Sequence, residues 1–486
     1  MRKYDWLALT AVLVLFLMMS TPDHAQPSQP SQVKATKLSQ QAKPGTSSRD
    51  EMPKTYYFIS DLHIGGDGGL DRCYFEPELI TFLRRIEDGP LPAELIIIGD
   101  AFGLWELTEV EGVAKMQRIE QTHRDLFAQF RKTGRRVKIT LLAGNHDYNL
   151  ACVPAYKDHL TEFNIQLEPA IHIVRGVAGQ KIWIEHGNQH DDFNKFPDFG
   201  NRYGLPFGYF VTKYTVATAA RFAEHGSSPW LDDLESVYPN EEIPFWIWSN
   251  YFYREMGPFL RWLLLPFLLL FTFSVIVFLG RALEKFGILR TKIFHVKLAE
   301  HLGLPGRLID WVLWVNSVVI CFLLILAIPL NLLSRDVRSS LERYGVDLSG
   351  DLKGKKEEHY IAAARSVFEK DSSVAIYIYG HTHVPSIRKV GSRYVINTGT
   401  WLKRLERVRA HVRLLPDVYV PSYRLNVFTV QPQGKDIRVR YEIIPKQNPD
   451  DLTILQKLVI LGRHWPEGES IPSETVIRAE EIVRMP

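Results

Sequence analysis

The sequence predicts an α/β fold, a sandwich of sheets and helices that is interrupted by a pair of long apolar helices. The first observation is a repeated order of strand, loop and helix that begins at Tyr56. This alternation is typical of layered α/β domains. The second is a pair of uncharged segments at residues 262–280 and 311–333. Each is close to the ~20 residues that span a bilayer as a helix, so we expect a transmembrane hairpin inserted in one α/β domain.

Short runs of β-branched, aromatic and aliphatic residues define the predicted strands. They are Tyr56–Ser60, Leu95–Ile98, Val137–Ala143, Lys181–Glu185, Val374–Tyr379, Arg393–Asn397, Arg424–Gln431 and Ile437–Ile444. Helices are predicted at Glu78–Ile86 and Val113–Lys132. The C-terminal stretch from Pro445 gives no clear prediction.

Polar motifs follow five of these strands. They are Asp61-Leu62-His63, Gly99-Asp100, Gly144-Asn145-His146-Asp147, His186-Gly187 and Gly380-His381-Thr382-His383. Ligands in α/β sheets gather at the carboxyl ends of strands, so these side chains are expected to meet at one edge. The candidate metal ligands are Asp61, His63, Asp100, Asn145, His186, His381 and His383. Such a mixture of oxygen and nitrogen donors suits two divalent ions, of which Mn, Fe and Zn all fit.

This donor set suits the hydrolysis of a phosphoester or pyrophosphate bond. Two divalent ions would neutralise phosphoryl charge and activate a water for attack, with Asp100 as the bridging carboxylate. His146 follows Asn145 directly, so it can reach over the site without binding metal. There it can donate a proton or stabilise the transition state. Asp147 can orient His146 or hold its proton. Taken singly, the motifs have simpler interpretations as caps, turn residues or strand-end histidines, but their number and order favour a metal site.

Together these motifs resemble those of the calcineurin-like metallophosphoesterase superfamily, over Tyr56–Asp192 and Val374–Thr400. The resemblance implies a four-layer α/β/β/α sandwich. It also implies that Asp61, His63, Asp100 and His383 hold one metal, that Asp100, Asn145, His186 and His381 hold the other, and that His146 is the catalytic histidine. The run from Gly99 to Trp105 is similar to the UDP-2,3-diacylglucosamine pyrophosphatase branch of lipid A synthesis. Gly103 and His146 stand where that branch usually has an acidic residue and an arginine, so only the reaction class is carried over.

The predicted division of the chain follows from composition. It comprises an N-terminal signal or membrane anchor (1–20), a flexible linker (21–53), the first part of the catalytic domain (54–202), an aromatic-rich cap with the hairpin (203–340), the second part of the catalytic domain (341–445) and a C-terminal extension (446–486). Aromatic residues before the hairpin fit either the headgroup level of a bilayer or an ordinary cap. The basic run at Lys403, Arg404, Arg407, Arg409 and Arg413 is expected to be a solvated cationic face, or else to meet anionic headgroups or a substrate phosphate.

The cationic loop between the apolar segments predicts a multi-pass membrane protein whose catalytic domain is extracytoplasmic, although a cytoplasmic domain is an alternative. We expect a membrane-anchored phosphoesterase that acts on a phosphorylated small molecule or lipid. One alternative is a phosphoprotein or nucleotide phosphatase that is merely tethered, and another is a non-catalytic receptor or transporter. The net charge of +3 gives no reason to expect nucleic acid as a partner.

Overall fold

The computed structural model describes residues 54–66, 73–107, 110–213, 233, 236–237, 242–290, 293–295, 302–343, 352–412, 415–463 and 470–482. The predicted anchor (1–20) and the predicted linker (21–53) lie outside these residues. The other predicted domain limits remain predictions.

Fourteen strands are named in the described part of the chain. They are β1 (Thr55–Ile59), β2 (Ala93–Ile98), β3 (Lys138–Leu142), β4 (Ile165–Glu168), β5 (His172–Val177), β6 (Gln180–Glu185), β7 (Val374–Tyr379), β8 (Ser386–Val390), β9 (Arg393–Asn397), β10 (Lys403–Val408), β11 (Val418–Tyr423), β12 (Leu425–Gln433), β13 (Asp436–Ile444) and β14 (Glu474–Ile477). All eight predicted strands are present, within two residues at each end.

These strands form two mixed sheets and a ribbon. The large sheet has the order β14-β13-β12-β1-β2-β3-β4, and the small sheet has the order β5-β6-β7-β9-β8. In the large sheet β1, β2, β3 and β4 are parallel neighbours. In the small sheet β6, β7 and β9 are parallel. Strands β10 and β11 pair with each other as an antiparallel ribbon.

The helices of α type follow in chain order. They are α1 (Glu76–Glu87), α2 (Ala114–Thr122), α3 (Arg124–Thr133), α4 (Asn149–Cys152), α5 (Pro154–Thr161), α6 (Phe207–Val211), α7 (Ile243–Asn250), α8 (Pro258–Lys285), α9 (Leu304–Arg343), α10 (Leu352–Lys370), α11 (Ile454–Val459) and α12 (Ala479–Ile482). A π-helical turn at Tyr251–Glu255 follows α7.

Three hydrophobic cores stack these elements in layers. Phe58 and Ile96 of the large sheet pack with Ile184 and Ile378 of the small sheet in a core between the sheets. A second core joins the large sheet to α1, α2 and α3, and a third joins the small sheet to α10. The order of the layers is therefore helices, large sheet, small sheet and helix. This confirms the predicted α/β class.

The two apolar helices are long enough to cross a membrane. The spans Pro258–Lys285 and Leu304–Leu333 each have a mean hydropathy of 2.6, and only 19% and 11% of their most apolar windows are buried. Core helices of soluble proteins are mostly buried, so this exposure separates the pair from the rest of the fold. Asn316 donates a hydrogen bond from its amide to the Ser274 hydroxyl at 2.8 Å, which ties the helices together.

The structure corrects two expectations. The predicted helix Val113–Lys132 is two helices, because the chain turns at His123, whose ring binds the Gly65 carbonyl at 2.8 Å and Glu76 at 2.6 Å. The basic run is not simply a solvated face. Lys403 is buried and lies 2.8 Å from Asp233, and Arg407 pairs with Glu242 and Asp417, while Arg409 is exposed and Arg413 lies outside the described residues.

Candidate metal centre

The structure brings the predicted donor side chains together at the carboxyl ends of strands from both sheets. Asp61 and His63 follow β1, Asp100 follows β2, and Asn145 follows β3. On the small sheet, His186 follows β6, and His381 and His383 follow β7. Parallel neighbours within each sheet and the face-to-face packing of the sheets explain how segments so far apart in sequence converge.

Three overlapping groups of donors could each hold a metal ion. Within each group, one ligand atom per residue lies within 4.8 Å of the others. The groups are Asp61, His63 and His383; His63, Asp100 and His146; and Asp100, His186 and His381. Asp100 and His63 each belong to two groups, so they lie where two neighbouring ions could share ligands.

Asp100 is the most central carboxylate. Its Oδ2 lies 3.1 Å from His186 Nε2 and 3.8 Å from His63 Nε2. Its Oδ1 accepts a hydrogen bond from the backbone N–H of His146 at 2.7 Å. Burial raises the pKa of Asp100, but the imidazoles of His186 and His146 outweigh burial and hold the pKa well below its usual range. The carboxylate is therefore ionised, as a metal ligand must be.

The surroundings of His63 and Asp61 fit a cation. Asp61 Oδ1 and His63 Nε2 are buried, and neither is hydrogen-bonded among the described residues. Asp61 Oδ1 does lie 3.2 Å from His383 Nε2, another candidate donor. Buried polar atoms without a hydrogen bond are costly and uncommon, and a cation bound by these donors would satisfy both atoms. Burial and the neighbouring His146 lower the pKa of His63 to about 4. Its imidazole is then neutral at neutral pH and keeps a lone pair for a metal.

Hydrogen bonds fix the orientation of the other two histidines near Asp100. His186 Nδ1 donates to the Ile98 carbonyl at 2.8 Å, which leaves Nε2 as the nitrogen available to a metal, 3.1 Å from Asn145 Oδ1. His381 Nε2 lies 3.0 Å from Asp191 Oδ2. When Asp191 is ionised, that nitrogen is the donor and Nδ1 is left for a metal. Partners that hold imidazoles in this way are usual around metal sites.

The backbone is strained at these residues. Asp61, His63, Asp100, His381 and His383 all have positive φ angles, between 43° and 65°. In the described part of the chain only two other non-glycine residues, Asn164 and Ala178, do so. Left-handed conformations are unfavourable for side-chain-bearing residues and concentrate at functional sites. This strain supports a site selected for function and not for stability alone.

Two glycines allow the backbone to pass close to the carboxylates. A Cβ on Gly380 would lie 2.6 Å from Asp61 Oδ2, and one on Gly144 would overlap the Asp100 carboxylate. Neither contact leaves space for a side chain. In the Gly380-His381 and Gly144-Asn145 pairs, a candidate donor therefore follows the glycine that lets a carboxylate approach.

His146 belongs to one of these donor groups, with His63 and Asp100, and its Nδ1 is hydrogen-bonded to Glu106. His146 Nδ1 is 2.5 Å from Glu106 Oε1, and the Trp105 ring lies against the imidazole with centroids 4.4 Å apart. Sequence reasoning missed Glu106, since it follows Asp100 by six residues in a loop without periodicity.

Asp147 has other contacts than those expected from the sequence. Its carboxylate accepts hydrogen bonds from the backbone N–H groups of Gly144 at 2.6 Å and Ala101 at 2.8 Å. Burial and the Asp100 carboxylate raise the pKa of Asp147 to about 7. These contacts tie the loop after β3 to the loop after β2. The contact expected between Asp147 and His146 is instead made by Glu106.

Residues 54–248 match the family model of the Calcineurin-like phosphoesterase. This match supports the predicted superfamily, and it confirms the predicted enzyme class, a hydrolase that acts on phosphoester bonds. The matched residues include every predicted donor except His381 and His383. No curated protein matches the chain.

Solved structures give weaker similarities. A predicted phosphoesterase from Streptococcus pneumoniae TIGR4 is 10% identical, with 83% of this chain and 96% of that chain covered and a TM-score of 0.23. Vps29 complexed with zinc from Entamoeba histolytica is 9% identical, with coverages of 81% and 94% and a TM-score of 0.25. A putative 5'-nucleotidase from Staphylococcus aureus is 11% identical, with coverages of 84% and 57% and a TM-score of 0.29. TM-scores this low do not establish a shared fold.

Proposed function

We propose that the protein is a membrane-anchored phosphoesterase with two divalent metal ions, and that it hydrolyses a phosphoester or pyrophosphate bond of a lipid-linked substrate. The observation that carries the proposal is the convergence of overlapping donor groups around Asp100. Two of their buried atoms lack a hydrogen bond among the described residues, which fits a site built for cations.

Each metal has a proposed ligand set. Asp61, His63, Asp100 and His383 would hold one ion, and Asp100, Asn145, His186 and His381 would hold the other. When bound, two such ions neutralise the phosphoryl oxygens, activate water and orient the phosphate for in-line displacement. Mn, Fe and Zn all accept this mixture of carboxylate, amide and imidazole ligands.

In this proposal, His146 donates the proton that the leaving group requires. Its Nδ1 faces Glu106 at 2.5 Å, so Nε2 is the nitrogen that would act on the substrate. The imidazole side chain is 21% exposed, whereas Asp100 is 1% exposed. A group at this position can reach a substrate that lies over the buried donors. Glu106 holds the ring in place and stabilises its protonated form.

Membrane anchoring rests on α8 and α9. Both are long, apolar and mostly exposed, and the Ser274–Asn316 hydrogen bond between them is typical of helix pairs packed within a bilayer. The helices are inserted in sequence between β6 and β7, whose ends carry His186 and His381. This insertion would hold the site near the headgroups, where an amphiphilic phosphate is concentrated and oriented. We place the catalytic domain on the extracytoplasmic side.

The reaction class is tested by hydrolysis of bis(p-nitrophenyl) phosphate and of the corresponding monoester by the purified full chain, without metal and with added Mn²⁺. Metal-dependent turnover that His146→Ala reduces is expected. If neither the metal-free nor the loaded chain turned over either ester or any lipid phosphate, the enzymatic proposal would be wrong.

The substrate class is tested separately by competition in mixed micelles. A lipid phosphate or lipid pyrophosphate is expected to compete with the chromogenic ester far better than a nucleotide of equal charge. Preference for the nucleotide or a phosphopeptide would contradict the lipid substrate and favour a tethered phosphatase.

A further inference from the structure

The short helix α11 has an exposed apolar stripe. Ile454, Leu458 and Leu461, at and just beyond the helix, are 80%, 60% and 70% exposed. Their spacing of four and three residues places them on one face. The opposite face is anchored, because Gln456 and Val459 are buried.

The helix that carries the stripe packs beside the start of α8 through its buried side. Val459 and Ile460 pack in one hydrophobic cluster with Phe252, Tyr253 and Met256, and Leu264 of α8 packs against that cluster. Arg254 also donates a hydrogen bond to the Asp451 carbonyl at 2.7 Å. A segment 197 residues away in sequence is therefore attached where the first apolar helix begins. There the outer residues Phe259 and Trp262 of α8 are highly exposed as well.

The loop after β10 adds to the same surface. His411 donates from its backbone N–H to the Val459 carbonyl at 3.0 Å and from Nε2 to the Leu461 carbonyl at 2.7 Å. This places the exposed Val412 next to the stripe. Arg409 and Arg463 are exposed at its edges. An apolar surface with cationic margins is the composition of segments that lie at the surface of an anionic bilayer.

We propose that Val412, Ile454, Leu458 and Leu461 form a membrane foot that sits in the headgroup region of the bilayer entered by α8. The inference rests on the membrane anchoring proposed above and deepens it. Lipid is the favoured occupant because the foot lies on a helix that packs against the start of α8, the proposed membrane-spanning helix, and carries arginines at its margin. A second copy of the chain would account for the apolar stripe but not for these two features.

The foot is connected to the candidate metal centre through the ribbon. Val408 of β10 and Val420 of β11 pack in the same cluster as Val459. Before β10, the Thr400 hydroxyl donates to the Asp61 carbonyl at 2.7 Å. The foot is therefore a second attachment that sets how the site faces the membrane, in addition to the hairpin.

The test is electron paramagnetic resonance of nitroxide-labelled full chain in vesicles of phosphatidylcholine and phosphatidylglycerol. Three single-cysteine proteins are compared: Leu458→Cys in the foot, Val476→Cys on the exposed edge strand β14, and the native Cys321 in α9, with the other cysteines replaced by alanine. Accessibility to oxygen reports lipid, and accessibility to a nickel chelate reports water. The ratio of oxygen to nickel accessibility is expected to be several-fold higher at positions 458 and 321 than at position 476.

The controls separate the two proposals. A high ratio of oxygen to nickel accessibility at position 321, with equal ratios at positions 458 and 476, would contradict the membrane foot. It would still support the membrane hairpin. Equal low ratios at all three positions would overturn the membrane anchoring itself. Spin–spin broadening at position 458 in dilute vesicles would mean that a second copy covers the stripe, and would also overturn the foot.

A second measurement uses activity. The variant with both Leu458→Glu and Leu461→Glu is expected to lose several-fold in hydrolysis of a vesicle-embedded lipid phosphate, while turnover of bis(p-nitrophenyl) phosphate is unchanged. Val476→Glu should alter neither. Equal rates for the double variant and the parent on vesicles would contradict the foot.

Discussion

At the scale of single residues, the pairing with Glu106 positions the His146 imidazole, which we propose acts on the leaving group. Their 2.5 Å contact is buried on the glutamate side. Glu106→Gln is expected to lower kcat by roughly 10–100-fold, because partners that orient a reacting imidazole have effects of this size. KM should change little, since Glu106 is not proposed to touch the substrate. The measurement is steady-state hydrolysis of bis(p-nitrophenyl) phosphate.

A matched control exists elsewhere in the chain. His123 and Glu76 form a similar pair at 2.6 Å, and neither residue is a candidate donor. Glu76→Gln should leave kcat unchanged. Combining Glu106→Gln with His146→Ala should cost no more than His146→Ala alone, because the two residues act as one unit. Additive losses would show that Glu106 does not work through His146.

Glu94 is a buried carboxylate whose titration should contribute to the loss of stability in acid. Burial raises the pKa of Glu94, but hydrogen bonds from Arg175, Lys54 and Thr140 outweigh burial and lower it to about 2 from an ordinary 4.5. The stabilisation is therefore fully present above pH 4.5 and is lost as the pH falls from 4.5 towards 2. Glu94→Ala should lower the free energy of unfolding by about 3 kcal/mol at pH 7, and the difference should shrink across that window.

Glu442→Ala is the surface control for Glu94. Glu442 pairs with Arg85, but both side chains are about half exposed, so its loss should cost no more than about 1 kcal/mol. Denaturant unfolding of the three proteins at pH 7 and pH 4 measures both effects. Equal losses for Glu94→Ala and Glu442→Ala would contradict the role given to the buried pair.

At the scale of elements, α11 shows what local sequence can and cannot predict. Thr453 and Gln456 form a capping box, in which each side chain bonds the other residue's backbone N–H. This Thr-x-x-Gln pattern is visible in the sequence and was the signal available for a helix in the C-terminal stretch. The break at His123 had no such signal, because apolar spacing continues on both sides and tertiary contacts to Gly65 and Glu76 decide it.

Removing this cap should open α11. Thr453→Ala is expected to destabilise the helix by about 1 kcal/mol, because the first-turn N–H groups lose their acceptor. Hydrogen exchange at the amides of α11 measures the effect directly. Thr161→Ala, at the end of α5, is the control, since its hydroxyl bonds only a carbonyl four residues earlier. Unchanged exchange in Thr453→Ala would contradict the importance of the cap.

At the scale of the whole molecule, the layers and the order of the donors could be predicted, because strand-end motifs in a parallel sheet have few other places to lie. The contacts of the basic run could not be predicted. Lys403 and Arg407 pair with Asp233 and Glu242, which lie more than 150 residues earlier in the chain. The pairing of His146 with Glu106 likewise depends on the path of a loop. Contacts between distant irregular segments leave no periodic trace in the sequence.

The proposed metal centre holds two ions, and His146 acts next to it without holding metal. The proposed ligands are Asp61, His63, Asp100, Asn145, His186, His381 and His383. The most direct measurement is metal content by elemental analysis of the purified full chain after loading with Mn²⁺, combined with its turnover. About two ions per chain are expected. Asp100→Ala should lose metal and activity together, whereas His146→Ala should retain the metal and lose ~10²–10⁴-fold in kcat. Asp371→Ala, at an exposed carboxylate paired with Lys181, should match the parent in both. Equal metal loss in Asp100→Ala and His146→Ala, or a parent chain that binds no more metal than Asp100→Ala, would contradict the account.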